Sequence, residues 1–461
     1  MIFNPYSRRD LLRSASSGFG YLAFAGLSSF AARANPSPSP LIQKPPHFPA
    51  RAKRVIFLCM NGAPSHVDTF DYKPDLTQAD GKSSSRPGRI PGAKLLGSPW
   101  KFQQCGTSGL WISELFPHLS GQADQLCVLR SLLTDLPAHP DACLMLHTGS
   151  SQFIRPSLGA WTLYGLGSES DDLPGFIAIK PTGRNGGAQN YGSAFLPSAF
   201  QATRIGVEGQ PIAQARIGNI KNPRLELKSQ RRQLDLIQSM NRELIERERV
   251  QPGVEGVIES YELAFRMQGT LPSVMDLAGE TAATGALYGL DNPATADFGR
   301  QCLLARRFTE AGVRFVKLSH SDWDQHRDLK SGHARNALAV DRPIAGLLTD
   351  LRQRGLLDET LVVWGGEFGR TPHGQNADGR DHNNKGFSMW LAGGGVKQGI
   401  AYGQTDELGY EATENPMHIH DLHATILHLL GLDHETLTYR HAGRDMRLTD
   451  IKGTVHNAIM A

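Results

Sequence analysis

Four short apolar runs, each closed by polar side chains, constrain the architecture of this chain more than any other feature. Val55–Met60 is continuous and apolar and ends at Asn61-Gly62, and the same form recurs at Arg314–Leu318, Thr360–Trp364 and Phe387–Ala392. Runs of this length without polar alternation are the pattern of strands covered on both faces. Helical periodicity lies between and after them. It runs over Leu338–Leu351, with Ile344, Leu347, Leu348 and Leu351 on one face, and over Leu422–Leu430, closed by Gly431. Strands alternating with helices predict an α/β chain, a three-layer α/β/α sandwich around a mainly parallel sheet. Leu225–Glu248 breaks the alternation as a long charged helix with a stripe of Leu227, Leu234, Ile237, Leu244 and Ile245, and Val254–Met267 is its expected partner. Residues 223–300 are therefore expected as a helical insertion beside the sheet.

The folded domain is expected over 51–461, because what precedes it cannot pack in the same way. Within 1–34, Arg8 and Arg9 stand before a weakly apolar stretch, Ala15–Phe30, and Ala32-Arg33-Ala34 offers a cleavage site. This resembles a twin-arginine export signal and implies a periplasmic or cell-envelope destination. The stretch is short and diluted by Gly18, Gly20 and Gly26, so no stable membrane insertion is expected. Residues 35–50 hold six prolines, the composition of an extended linker with little capacity to pack.

Charge and cysteine content narrow the partners. Of the 48 basic and 45 acidic residues, four and one fall in the first 34, leaving 44 of each. A neutral chain argues against nucleic acid as the main partner. Five cysteines without a C-x-x-C pair exclude a disulfide scaffold and a zinc knuckle. No G-x-S-x-G elbow is present, which argues against a hydrolase triad of that type.

In parallel sheets, ligands bind beyond the carboxyl ends of the strands. The first run is followed by Ser65, His66, Asp68 and Asp71; the second by His320, Asp322, Asp324 and His326; the third by Glu367 and Arg370, then Asp381 and His382. Eleven of the 17 histidines lie between His320 and His441. Carboxylates and imidazoles gathered at such loops suit a divalent cation, whether zinc, manganese or calcium. The expected ligands are Asp324, His326, Glu367 and His382, joined by His66 or Asp68. The alternative for each is a turn or cap role, and Asp421 in His418-Ile-His420-Asp421 is expected as an N-cap.

These stretches carry a resemblance. The strand ending at Asn61-Gly62, Thr360–Gly369, Ala392–Gly399 and His420–Gly431 resemble the alkaline phosphatase and sulfatase superfamily. More closely, Ser65-His66-Val-Asp68-Thr-Phe-Asp71, Trp323-Asp324-Gln-His326, Gly366-Glu367-Phe-Gly-Arg370-Thr-Pro372 and Gly379-Arg380-Asp381-His382 are similar to the domain of unknown function family numbered 1501. The superfamily resemblance implies metal-assisted hydrolysis of sulfate or phosphate esters, with a small anionic ester or a sulfated or phosphorylated glycan as substrate. It also implies catalytic roles for His139 and Arg370: the nucleophile register, counted back from Thr148-Gly149, falls on His139. Asn61 and Phe368 stand where the superfamily carries a metal-binding aspartate and histidine. The other reading the resemblance allows is an inactive relative acting as an envelope binding or assembly module.

Overall fold

The computed structural model describes residues 39–84, 92–215, 224–248 and 252–461. The export signal and the start of the linker lie outside these residues. Along the chain the sheet strands are β1 (Arg54–Met60), β2 (Leu126–Leu133), β3 (Phe176–Ile179), β4 (Thr203–Ile205), β5 (Phe315–His320) and β6 (Thr360–Gly365). A hairpin, β7 (Gly369–Gln375) and β8 (Gly379–Asn383), precedes β9 (Phe387–Ala392), β10 (Ile400–Tyr402) and β11 (Met417–His418). Apart from the hairpin these form one nine-stranded sheet in the order β10-β2-β9-β6-β1-β5-β3-β4, with β11 also paired to β2.

Six of the seven residues of β1 are buried, as the continuous apolar run required. β1 pairs in parallel with β5, Val55 opposite Phe315, and with β6, Leu58 opposite Trp364. Every residue of β6 and of β9 is buried, so both faces of the sheet are covered there. The sheet is mainly parallel, as expected, with one exception: β9 runs antiparallel between β6 and β2. The reason is its connection. A parallel neighbour needs a crossover, usually a helix, whereas β6 reaches β9 through the β7–β8 hairpin at the same edge. Two strands carry no long apolar signal, since β2 is interrupted by Arg130 and β3 is four residues long.

The main helices are α1 (His139–Thr148), α2 (Leu158–Leu166), α3 (Leu227–Glu248), α4 (Pro252–Met275), α5 (Ala296–Glu310), α6 (Leu329–Gln353) and α7 (Ile419–Leu429). α6 begins earlier than the periodicity suggested and contains a buried Pro343. α3 and α4 are tied by Arg231, which donates to both carboxylate oxygens of Glu262 at 2.7 and 2.8 Å. Of the expected α3 stripe, Leu234 is buried and Leu227 is 61% exposed, while the side chains of Leu244 and Ile245 lie outside the description. The expected boundary at residue 300 falls inside α5, whose Phe298, Cys302, Leu303 and Phe308 belong to the main core.

The proline-rich segment packs more than its composition suggested. Leu41 is buried, Lys44 donates its amide to the Leu166 carbonyl at 2.9 Å, and His47 donates to that of Gly431 at 2.8 Å. Prolines leave carbonyls and the remaining amides free to bond with loops of the domain. At α7 the N-cap is His418, and Asp421, expected there, instead takes the third helical position and accepts from the His418 amide at 2.8 Å in a capping box. Among the described residues no helix is long and apolar enough to cross a membrane.

Candidate metal centre

Because β1, β2, β5 and β6 run in one direction, the loops that follow them share an edge. After β2 the chain reaches His139, the first residue of α1. Pro140 follows within that first turn, where a missing N–H costs nothing and the fixed φ favours a helix start. After β5 comes the loop with Asp324 and His326. After β6 come Glu367 and then the hairpin that carries Arg370 and His382 as cross-strand partners.

Four of these side chains converge. One ligand atom each from His139, Asp324, His326 and His382 lies within 4.8 Å of all the others. Asp324 Oδ1 is the common point: His326 Nε2 is 3.0 Å away, His139 Nε2 3.2 Å and His382 Nε2 3.3 Å. Each histidine is held by its other nitrogen. His139 Nδ1 lies 2.6 Å from Glu367 Oε1, His382 Nδ1 lies 2.7 Å from the Pro137 carbonyl, and His326 Nδ1 is bonded to Gln375 Oε1. A carbonyl can only accept, as can an ionised carboxylate, so the Nδ1 atoms of His382 and His139 carry the proton. In the neutral rings their Nε2 lone pairs therefore face the carboxylate. His139 Nε2 is buried and makes no hydrogen bond.

Such an arrangement needs a cation or protons to hold it. Burial works against charge on His139, yet the bonds and charges of Asp324 and Glu367 raise it to about 9. His326 is raised chiefly by its bond to Asp324, whereas burial lowers His382. Burial opposes the Asp324 charge too, but the three histidines and Arg370 drive its pKa far below the ordinary carboxylate range. Three imidazole nitrogens and one carboxylate oxygen, each imidazole oriented by an outer acceptor, fit a divalent ion such as zinc. Asp324 is 41% exposed and His326 32%, so one side of the cluster is open, as catalytic metal sites are.

The other expected residues sit elsewhere, each for a visible reason. Glu367 is fully buried and is not in the group; Oε1 also accepts the Gly62 amide at 2.9 Å, so it orients His139 rather than facing the common point. His66 is buried with Nε2 2.8 Å from the Gly409 carbonyl. Asp68 is engaged by Arg380, Nε to Oδ2 at 2.7 Å and Nη2 to Oδ1 at 3.1 Å, with both side chains fully buried. Arg370, expected as catalytic, has no exposed surface. It donates to the carbonyls of Ala63 and Gly62 and to Asp324 Oδ1 at 2.5 Å, and so braces the loop after β1 against the cluster. His139, expected at the nucleophile position, is within the ligand group itself, with Nδ1 on Glu367 and Nε2 3.2 Å from Asp324 Oδ1.

Close backbone approach fixes the loops. At Gly62, φ is +104° and a Cβ would lie 2.8 Å from the Asp324 amide, so only glycine serves there. A Cβ on Gly379 would lie 2.1 Å from the His326 carbonyl, which seats the hairpin directly on the ligand loop. Gln375 and Pro137 carry no sequence signal for their roles in orienting the rings.

A family described as "Protein of unknown function (DUF1501)" matches residues 52–460; the chain belongs to this family. No curated protein matches it significantly. Among solved structures, the PsFucS1 sulfatase from Pseudoalteromonas sp. is similar at 12% identity over 96% of this chain and 75% of that one, with a TM-score of 0.40. The lipoteichoic acid synthase LtaP from Listeria monocytogenes is 11% identical over 88% and 78%, with a TM-score of 0.35. A TAB5 alkaline phosphatase mutant with Mg bound in its M3 site is 12% identical over 75% and 92%, with a TM-score of 0.30.

Proposed function

We propose that the chain holds one divalent ion at His139, Asp324, His326 and His382 and hydrolyses a sulfate or phosphate ester with water as the nucleophile. The observation that carries this is the convergence of three Nε2 atoms on Asp324 Oδ1, with each ring oriented from behind. A divalent ion there supplies a Lewis acid for the ester oxygens and a bound water of lowered pKa. Water adds its oxygen to sulfur or phosphorus and gives up one proton, the bond to the ester oxygen breaks, and that proton ends on the departing alkoxide.

Neither His139 nor the cysteines Cys59 and Cys143 replace water as the nucleophile. His139 Nδ1 is taken by Glu367, and Nε2 is buried facing the Asp324 carboxylate at 3.2 Å, a charge that repels an anionic ester and argues against a phosphorylated histidine. Cys59 and Cys143 are each 1% exposed, and burial pushes the Cys59 thiol up to about 11 and that of Cys143 well above its ordinary value, so neither supplies a thiolate. The substrate class, a small anionic ester or a sulfated or phosphorylated glycan, rests on the motif resemblance. Export through the twin-arginine route, to the periplasm or envelope, rests on Arg8, Arg9 and the stretch after them.

A second reading, a binding or assembly module without hydrolysis, is favoured by one observation. Arg370, the guanidinium nearest the cluster, is fully buried and spent on carbonyls and Asp324, so it cannot clamp an ester oxygen. Elemental analysis of the full chain, with assays on p-nitrophenyl sulfate and phosphate before and after chelation, separates the two. The first reading expects about one bound ion per chain and hydrolysis lost on chelation and restored by metal. Absence of metal, or metal without hydrolysis, defeats the first and leaves the second.

A further inference from the structure

A second polar cavity, about 680 Å³ in volume, opens at the same sheet edge beyond β3, β4 and β5, within the size range of small-molecule sites. Lys180 follows β3, Glu208 follows β4, and Ser319 and Asp322 close β5, while the first turns of α5 form the facing wall. Part of its charge is internally paired. Lys180 Nζ is 2.7 Å from Asp297 Oδ2, and Arg184 is 2.8 Å from Glu208. Arg300 and Arg335 remain. Among the described residues neither makes an ion pair, and Arg300 donates to the Ala296 carbonyl of its own helix at 3.2 Å.

The walls also carry buried polar atoms without partners. Ser319 is 5% exposed and Gln301 2%, yet Ser319 Oγ and Gln301 Oε1 make no hydrogen bond among the described residues. Gln301 Nε2 donates to Asp297 Oδ2 at 3.2 Å, which leaves Oε1 as a fixed acceptor. Unsatisfied buried groups cost about 1–3 kcal/mol each, so a partner that supplies donors is favoured. The cavity thus presents two guanidinium groups beside a hydroxyl, an amide acceptor and the Asp322 carboxylate.

We propose that this cavity binds a saccharide unit carrying one anionic group, a sulfate, phosphate or carboxylate. The arginines take the anion, as charge-assisted donors do, and Gln301 Oε1 and Asp322 accept from sugar hydroxyls. A bare inorganic anion does not satisfy those acceptors. His320 is the only aromatic ring in the lining, and it bonds Trp323 Nε1, so a base-stacking ligand finds no platform. Its lining shares no residue with the four-residue cluster, and binding there needs no metal.

The test uses the full chain stripped of metal and calorimetric titration with glucuronate, glucose 6-sulfate and glucose 6-phosphate, beside glucose and inorganic sulfate. At least one anionic sugar should bind about tenfold or more tighter than both glucose and sulfate, the advantage expected of a charge-assisted pair joined to hydroxyl contacts. The three sugars identify the anion. Arg300→Gln with Arg335→Gln should remove that advantage while metal occupancy, measured on a loaded portion, stays at the wild-type level. Sulfate binding as tightly as the sugars, the double variant binding like the wild type, or no saturable binding of any anionic sugar would overturn the proposal. Loss of metal occupancy in the double variant would show that the two arginines do not form a separate site and would overturn the proposal as well.

Discussion

His139 and Glu367 are joined across 228 residues of sequence by a 2.6 Å contact between Nδ1 and Oε1. It ties the first turn of α1 to the loop after β6 and turns the free nitrogen of the ring toward Asp324. The same Oε1 accepts the Gly62 amide at 2.9 Å, so one carboxylate oxygen joins the imidazole to the loop after β1.

Glu367→Gln keeps an acceptor for His139 and removes the charge behind it. Metal affinity should fall about 10- to 100-fold, the usual loss when an outer partner of a ligand is changed. Competition with a chromogenic chelator measures it. Unchanged affinity would mean that Glu367 does not support the ligand.

His326→Ala and His382→Ala each remove one ring of the cluster and should abolish stoichiometric metal binding. His66→Ala should retain it, since His66 bonds the Gly409 carbonyl instead. Elemental analysis of the three variants side by side distinguishes this ligand set from the one expected from sequence.

Asp68→Asn leaves Arg380 buried beside a neutral amide. Breaking a fully buried pair from one side costs about 3–5 kcal/mol, so the urea midpoint should drop sharply, while metal stoichiometry in the folded fraction stays the same. A variant that loses metal without losing stability would return Asp68 to the ligand set.

Burial holds His333 and His423 at about 3 in the folded chain, against about 6.5 when unfolded. For a base whose folded pKa is depressed, the unfolded chain binds the extra proton. The stability is intact above about pH 6.5 and is lost as pH falls toward 3, by about 1.4 kcal/mol per unit for each group. Between pH 7 and 5 each should cost roughly 2 kcal/mol. His423→Gln, which keeps a donor for the Leu146 carbonyl now 2.8 Å from Nε2, should flatten denaturant-measured stability over that range by the same amount.

Replacing Arg8 and Arg9 with lysine should leave precursor in the cytoplasm, because a point charge does not reproduce a guanidinium pair. Fractionation with an antibody against the mature chain decides it, and normal export would sink the localisation proposal.

Much of the fold was legible because β1, β5, β6 and β9 are covered on both faces and announce themselves as apolar runs. The direction of β9 was not, since a strand's own residues do not record how it is connected. The edge of the sheet was legible too, and it delivered Asp324, His326 and His382. What sequence could not supply was the distribution of buried cations. Arg380 takes Asp68, and Arg370 spends itself on carbonyls, so residues of equal promise were drawn into structural pairs. His139 was placed at the site by register, but its part in the cluster became visible only when Glu367 lay behind it.

Gly379 rests against the His326 carbonyl, so the hairpin and the ligand loop are seated together. Only Asp324 and His326 are near neighbours in sequence; His139 and His382 come from segments far to either side. A chain that captures its ion through adjacent ligands can let the metal drive folding, as zinc fingers do. Here the closing of long loops has to come first, a slow step for non-local contacts. An ion held by these four side chains would therefore enter a finished fold, and its loading would be an event separate from folding, open to control by wherever folding is completed.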